Sequence, residues 1–353
     1  MSSNHEDLAS ASEGAGAPGE LVGLPSTYDE LVKRSPQGSI FAERWWLEAV
    51  APGMYEIFEI RDGGGIHAAW PVVHRKADGE KHVCMPALTQ KLGILFAPSR
   101  AKPVEIQSTN QKLAAELIDE LGEANSFYQN FHENFTDWLP FYWRGYAQTT
   151  RYTGVLEDIS DTNALWNNMR HMSRKEIRKA QKLGIRIADD LQLDQLLDLN
   201  RKTFARQGKN PLANDEFVHR LDAACAKNAG RKTLTAVDQQ GKVHAAVYIV
   251  WDDHTAYSIL GCSDPELRNS SAYRLAFWEA VVFASTVVKR FDFIGSMLPQ
   301  VEPVPRGFGA KQLPYFSISK IPPGPTSLGG FLKEAVRFRV RRARKAIKSR
   351  FNK

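Results

Sequence analysis

The stretch Gly65-Ile66-His67-Ala68-Ala69 recurs as Lys242-Val243-His244-Ala245-Ala246, and each copy follows an apolar run, an aspartate and a glycine and precedes a second apolar run. The copies lie about half a chain apart, so they mark duplication of a whole domain rather than a short solenoid repeat. The expected architecture is two α/β lobes with a cleft between them. In the first copy Met54 to Ile60 alternates apolar and polar residues, Asp62-Gly63-Gly64-Gly65 supplies the positive φ values of a tight turn, and Ile66 to Val73 returns. In the second, Thr233 to Val237 runs out, Asp238-Gln239-Gln240-Gly241 turns, Val243 to Trp251 comes back, and Thr255 to Leu260 reads as a third strand.

At 353 residues the chain exceeds what one core usually supports, and its 43% apolar content is ample for two. No apolar run approaches the roughly 20 residues that span a bilayer, and the N-terminus lacks a signal-peptide layout, so a cytoplasmic location is expected. Cys84, Cys225 and Cys262 are widely spaced and odd in number, which reads as reduced structural thiols. His67 and His244 sit at equivalent positions of two domains, too far apart to share an ion, so both read as structural and no metal is expected.

Residues 1–20, rich in Ser, Ala, Gly and Glu, read as a flexible leader. The other end is basic: Lys333 to Lys353 holds ten Lys or Arg against Glu334, a charge of +9 in a chain of net +6, which leaves a body of about −3. Leu332, Val336, Val340, Ala343, Ile347 and Phe351 fall on one helical stripe after a Pro/Gly-rich linker at 321–330. Three roles suit such a helix: lying on an anionic membrane surface, holding RNA phosphates, or docking on the body.

Between the hairpins, Lys112 to Leu121 reads as a packing helix, and Trp138 to Tyr146 is densely aromatic where one domain hands over to the next. Trp143, Arg144 and Tyr146 are therefore candidates for a binding pocket at that junction. Ser173 and Glu176 have capping-box spacing at the start of a helix that Gly184 ends, with five cations outward; Arg174 and Arg178 are candidates for contact with phosphates or tRNA. Ser271 to Lys289 reads as a helix leading to a buried strand at Phe291 to Ile294. With the strand before it this makes a βαβ unit, whose helix N-terminus at Arg268, Ser270, Ser271 and Ala272 suits an anion.

The hairpin, third strand, helix and strand of the second copy resemble the core of the GNAT acyltransferases. Their duplication resembles the Fem-type branch, the peptidyl- and acyltransferases of cell-wall and surface-glycan precursors. Met85-Pro86-Ala87-Leu88-Thr89-Gln90, Leu92-Gly93-Ile94, the Ser173 to Gly184 helix, Phe291 to Met297 and Arg306-Gly307-Phe308-Gly309-Ala310 look like that branch in their order, over roughly Ile40 to Lys320. The resemblance implies tandem GNAT-like domains at 21–150 and 151–320, the second carrying the transfer site, ahead of the linker and tail at 321–353. GNAT enzymes place an Arg/Gln-x-x-Gly-x-Gly/Ala turn under the coenzyme A pyrophosphate. Here the turn reads Arg268-Asn269-Ser270-Ser271-Ala272-Tyr273, without its glycines. The long helical hairpin of the aminoacyl-tRNA-dependent transferases is also absent from the sequence.

Acyl transfer to an amine needs a neutral nitrogen, a proton acceptor and oxyanion donors. No Ser/His/Asp layout is evident, and direct attack on a thioester needs none. The resemblance points to Arg306 beside the Gly-Phe-Gly turn, with Lys311 flanking it; Asp292, Glu302 and Tyr315 are candidates for handling the amine, and Ser296 for substrate contact. The expected activity is N-acylation of a sugar or peptide amine in an envelope or polysaccharide precursor, free or lipid-linked, from acyl-CoA. The alternatives are aminoacyl-tRNA-dependent addition to a peptidoglycan precursor, and a non-catalytic membrane- or RNA-associated adaptor; DNA is not an expected partner.

Overall fold

The computed structural model describes residues 23–320 apart from 78–79, 189–192, 207, 296 and 300. The leader and the basic tail lie outside the described residues. The first half opens with helices α1 (Tyr28–Arg34) and α2 (Arg44–Val50), then the hairpin β1 (Tyr55–Asp62) and β2 (Gly65–Ala77). Strands β3 (Glu80–Val83) and β4 (Leu95–Phe96), helix α3 (Pro103–Leu121), strand β5 (Ser126–Asn130), the single turn α4 (Leu139–Tyr142) and strand β6 (Ala147–Leu156) follow. The second half runs through α5 (Thr162–Asn168), α6 (His171–Lys182), β7 (Arg186–Ala188), α7 (Leu193–Ala205) and α8 (Asp215–Asn228). It continues with β8 (Gly230–Val237), β9 (Val243–Trp251), β10 (Thr255–Ser263), α9 (Ala272–Ala284), β11 (Arg290–Asp292), α10 (Pro303–Gly307) and β12 (Lys311–Lys320).

The duplication is visible strand by strand. In each half an antiparallel hairpin (β1/β2, β8/β9) adds a third antiparallel strand (β3, β10), and a helix (α3, α9) crosses to a strand parallel to that third one (β5, β11). The repeated His-Ala-Ala sits at the start of β2 and β9, and in both copies the histidine Nε2 meets the turn aspartate: His67 to Asp62 at 2.8 Å, His244 to Asp238 at 3.2 Å. The halves then exchange their last strands. β6, which follows the first half in sequence, pairs with β11 of the second, and β12 pairs with β5 of the first. β6 and β12 pair with each other over nine residues at the centre, giving one mixed sheet in the order β1-β2-β3-β5-β12-β6-β11-β10-β9-β8-β7.

Both faces of the second half are covered, which is why β9 is an unbroken apolar run rather than an alternating one. Ala245, Val247 and Ile249 pack with α6 and α9, and Ala246, Tyr248 and Val250 pack with α7, α8 and with Phe41, Trp46 and Leu47 from before the first hairpin. Each such large side chain contributes roughly 1.5–3 kcal/mol by leaving water. A charged cluster sits in the seam: the buried Lys91 ammonium bonds Glu133 at 2.7 Å and Asp292 at 3.1 Å, and Arg290 bonds Glu133 at 2.6 Å.

Two local expectations are corrected. Helix α6 begins three residues early, its N-cap Arg170 makes no side-chain cap bond, and Ser173 is buried inside the helix rather than capping it. Helix α9 stops at Ala284, and the strand after it is three residues long. Among the described residues no helix is long and apolar enough to cross a membrane.

Candidate functional site

Strand β10 pairs with β11 only through its first residues, Thr255–Tyr257, set against the whole of β11. Beyond that β10 and the chain that leaves β11 diverge, and β10 is bulged: its register with β9 skips Ile259 between Ser258 and Leu260. The divergence opens a cleft of about 650 Å³ that reaches from the bulge to the first turns of α9. Phe277, Phe293, Ile294, Leu298 and Val301 give it an apolar interior. Arg206, Lys209 and Arg268 line its exposed rim, and Glu176 is the one acid among its described lining residues.

In the first half the corresponding strands are bridged rather than splayed beyond their paired ends. There the chain after β3 returns so that Leu92 forms a parallel bridge with Phe131, and Leu92 N donates to Asn130 O at 2.8 Å. Gly93, at φ +103, has no room for a side chain, since an added Cβ would stand 2.5 Å from the Phe131 ring.

The turn into α9 keeps the shape that glycine would give it. Ser271 has φ 61 and ψ 16, the left-handed region, which costs an L-residue about 1–2 kcal/mol. A relay braces it from below. Asp238 Oδ1 accepts Gln240 N at 3.0 Å and Lys242 N at 2.8 Å, which together with the His244 bond hold its carboxyl below the usual range. His244 passes from Asp238 at Nε2 to Ser270 Oγ at Nδ1, 2.9 Å away. Ser270 Oγ in turn lies 2.7 Å from the Leu267 carbonyl and accepts Ala272 N at 3.4 Å. The serine hydroxyl is thus engaged within its own turn, so the relay serves as a brace and not as a nucleophile. Tyr273 lies over Gly261 of β10, where a Cβ would come within 2.7 Å of its hydroxyl, so the two positions are matched in size.

Arg274, one turn into α9, ties three elements together. Its Nε bonds Glu176 of α6 at 3.1 Å, and its guanidinium donates to Val304 O of α10 at 3.1 Å. Gly307 packs against the same arginine and against Ser173, and Gly309, at φ +79, packs against Asn168. The Gly-Phe-Gly turn therefore seats α10 on α5 and α6, with Phe308 in the core.

Of the residues singled out from sequence, Arg268, Ser270, Ser271 and Ala272 are brought together at the cleft. Arg306, Glu302, Lys311, Asp292 and Tyr315 do not line it. Arg306 and Glu302 pair with each other at 2.9 Å beside a separate recess of about 100 Å³, and Lys311 pairs with Glu157 at 3.1 Å on the surface. Asp292 is buried in the seam, where Thr153 Oγ1 donates to it at 2.5 Å, and Tyr315 is buried on β12 opposite Arg151. Ser296 lies outside the described residues. Within the aromatic run, Phe141 and Tyr146 pack into the first-half core, Arg144 holds Asp119 at 2.6 Å and Trp143 is exposed, while Trp138 and Leu139 at its start line a separate cavity in the first half. Arg174 caps the carbonyls of Trp166 and Asn167, and Arg178 stands 5.4 Å from the Trp166 ring centroid. Sequence reasoning missed Glu176, Arg206, Lys209, Arg274 and the Asp238–His244–Ser270 relay. The repeated Asp-turn and histidine were a signal for part of that relay, but its serine lies 26 residues further on.

Residues 167–299 match the family model described as "Acetyltransferase (GNAT) domain". A comparison with curated proteins finds no match. Among solved structures the chain is similar to FemX (TM-score 0.61, 11% identity, 82% of this chain and 94% of that one). It is also similar to the C-terminal domain of a putative lysylphosphatidylglycerol synthetase from Agrobacterium fabrum (0.51, 11%, 87% and 95%) and to L-PGS from Bacillus licheniformis (0.50, 11%, 90% and 98%). At these identities the likeness is one of fold.

Proposed function

With residues 167–299 forming a GNAT acetyltransferase domain, we propose that this chain is an acyltransferase that carries an acyl group from acyl-CoA to an amine. The observation that carries the reading is the amphiphilic cleft between β10 and β11. Its rim joins Arg206, Lys209 and Arg268 to the N-terminus of α9, where the positive end of the helix dipole favours phosphate, and its interior is apolar. An amphiphilic donor with phosphates at one end and an acyl thioester at the other matches that layout.

The chemistry needs no covalent enzyme intermediate. The amine nitrogen attacks the thioester carbonyl carbon, the carbon–sulfur bond breaks, and the thiol group leaves as an amide forms. The bulge at Ile259 turns a main-chain N–H out of the regular ladder, a suitable donor to the developing oxyanion. Glu176, oriented by Arg274, accepts the amine's proton in this scheme. The acceptor class is an amine-bearing sugar or peptide of an envelope or surface-polysaccharide precursor. A basic tail resting on an anionic inner membrane surface would bring the enzyme to a lipid-linked form of it.

Calorimetric titration of acetyl-CoA and longer acyl-CoAs into the protein tests this. Micromolar binding that Arg268→Ala weakens about tenfold supports the reading; heat-silent titration with every acyl-CoA sinks it. A second reading takes aminoacyl-tRNA as donor. It is favoured by the exposed cations Lys175, Lys179 and Lys182 on α6. That reading requires tRNA binding that falls steeply with salt and needs those lysines. Turnover with either donor excludes a purely adaptor role.

A further inference from the structure

The first half keeps a cavity of its own, of about 740 Å³, at the place that corresponds to the donor cleft. It lies between the first turns of α3 and the segment after β5, as the donor cleft lies between the first turns of α9 and the segment after β11. Phe316, from the exchanged strand β12, forms part of its wall. Antiparallel pairing of β5 with β12, β12 with β6 and β6 with β11 makes β5 antiparallel to β11, so the two openings face opposite ends of the sheet.

Their linings differ in kind. The donor cleft carries Lys and Arg on its rim, whereas the described lining of the first-half cavity has no cation and a single carboxylate, Asp137. That carboxylate is used to fix amides. Its Oδ2 accepts Gln107 Nε2 at 3.2 Å and Gln111 Nε2 at 2.7 Å, and its Oδ1 accepts Leu139 N at 3.1 Å. Gln37 is fixed as well, donating from Nε2 to Asn134 O at 3.1 Å and accepting Phe96 N at 3.3 Å. Gln107 and Gln111 each keep the amide oxygen and a second N–H for a ligand, whereas Gln37 Oε1 is filled by Phe96 N and Ser35 Oγ and leaves only an N–H, and Asn110 adds another amide to the lining. Aromatic surface from Trp138 and Phe96 completes the wall.

Planar amides with donors and acceptors side by side, an aromatic platform and no cation do not suit a phosphate, a nucleotide or coenzyme A. They suit a neutral ligand with many hydroxyl and acetamido groups, and the volume is in the range of small-ligand sites. We propose that the first half is a saccharide-binding unit that holds a neutral, N-acetylated oligosaccharide in this cavity, with Trp138 as its stacking surface and Gln107 and Gln111 as its hydrogen-bonding pair. Duplication in this view produced one cleft for an anionic donor and one for an uncharged glycan. The inference does not depend on the identity of the donor, because the cavity shares no lining residue with the donor cleft.

The test is titration of the linear trisaccharide of N-acetylglucosamine into the full-length protein, followed by saturation-transfer NMR and calorimetry, with maltotriose as the comparison sugar and acetyl-CoA titrated separately. The expected result is saturable binding of the acetamido sugar, weakened about tenfold by Trp138→Ala and by Gln111→Ala, with any acetyl-CoA binding unchanged in both variants. Gln111 is only half-buried, so its variant keeps the test open if Trp138→Ala does not fold. Absence of saturation transfer to the acetamido trisaccharide, sugar binding indifferent to Gln111→Ala, or displacement of the sugar by inorganic phosphate would each overturn the proposal.

Discussion

His132 makes the seam between the halves sensitive to acid. The ring is buried, its Nδ1 accepts the main-chain N–H of Asn134 at 3.1 Å, and the Lys91 and Arg290 cations stand nearby. Burial first, and then Lys91, push its pKa from 6.5 down to about 3, although Glu133 pulls the other way. The unfolded chain therefore takes up a proton at this residue below about pH 6.5, while the folded chain resists until about pH 3. Stability contributed by the neutral ring is complete above that window and is lost as pH falls through it, at about 1.4 kcal/mol per unit. Between neutrality and about pH 5 the loss from this one residue is about 2 kcal/mol. The lowered carboxyl of Glu133 adds acid sensitivity mainly below its unfolded value of 4.5, so the interval from about pH 7 to about pH 5 reports on the histidine. His132→Asn tests the argument, since an asparagine Oδ1 can accept the Asn134 N–H without titrating. Urea unfolding at about pH 7 and about pH 5 should show wild type losing about 2 kcal/mol more than the variant. Equal losses in the two proteins, or an imidazole signal for His132 that titrates near its unfolded value, would refute the reasoning.

Two further outcomes are expected. Lys91→Met leaves Glu133 and Asp292 buried with one cation fewer and should cost about 3–5 kcal/mol in denaturant unfolding, part of which Asp292→Asn should restore in the double variant; a loss below about 1 kcal/mol would show that water reaches the cluster. Ser270→Ala removes the upper end of the relay under the α9 turn and should weaken acetyl-CoA binding about tenfold with an unchanged circular dichroism spectrum. Unaltered affinity would mean that the left-handed turn holds without its brace.

The duplication was legible because a hairpin is a local object: an alternating run, a glycine turn and a returning run lie side by side in sequence as they do in space. Strands β1, β2, β8, β9 and β10 appeared for that reason, and so did the Arg268 to Ala272 turn, which joins adjacent elements. The missing glycines of that turn suggested an altered shape. Ser271 instead takes the glycine conformation, because the strain is offset by a hydrogen-bond relay that no spacing rule reveals. Asp292 was a candidate for handling the amine beside the Gly-Phe-Gly turn, but its partners Lys91 and Thr153 lie 201 and 139 residues away, where no spacing rule finds them. Within the Trp138 to Tyr146 run, Phe141 is buried against Trp70 and Phe131 while Trp138 lines a cavity, a division that tertiary packing decides and the spacing of the run does not show.

The exchange of β6 and β12 also sets the order in which the molecule can be finished. Strand β5 ends at Asn130, yet the neighbour that covers its edge begins at Lys311. During synthesis the N-terminal half must wait with an open strand edge while the whole second half is made, and an open edge invites pairing with other chains. Half-by-half completion in chain order is closed to this topology: the last described strand seals the first lobe, so the lobe made first is the one finished last.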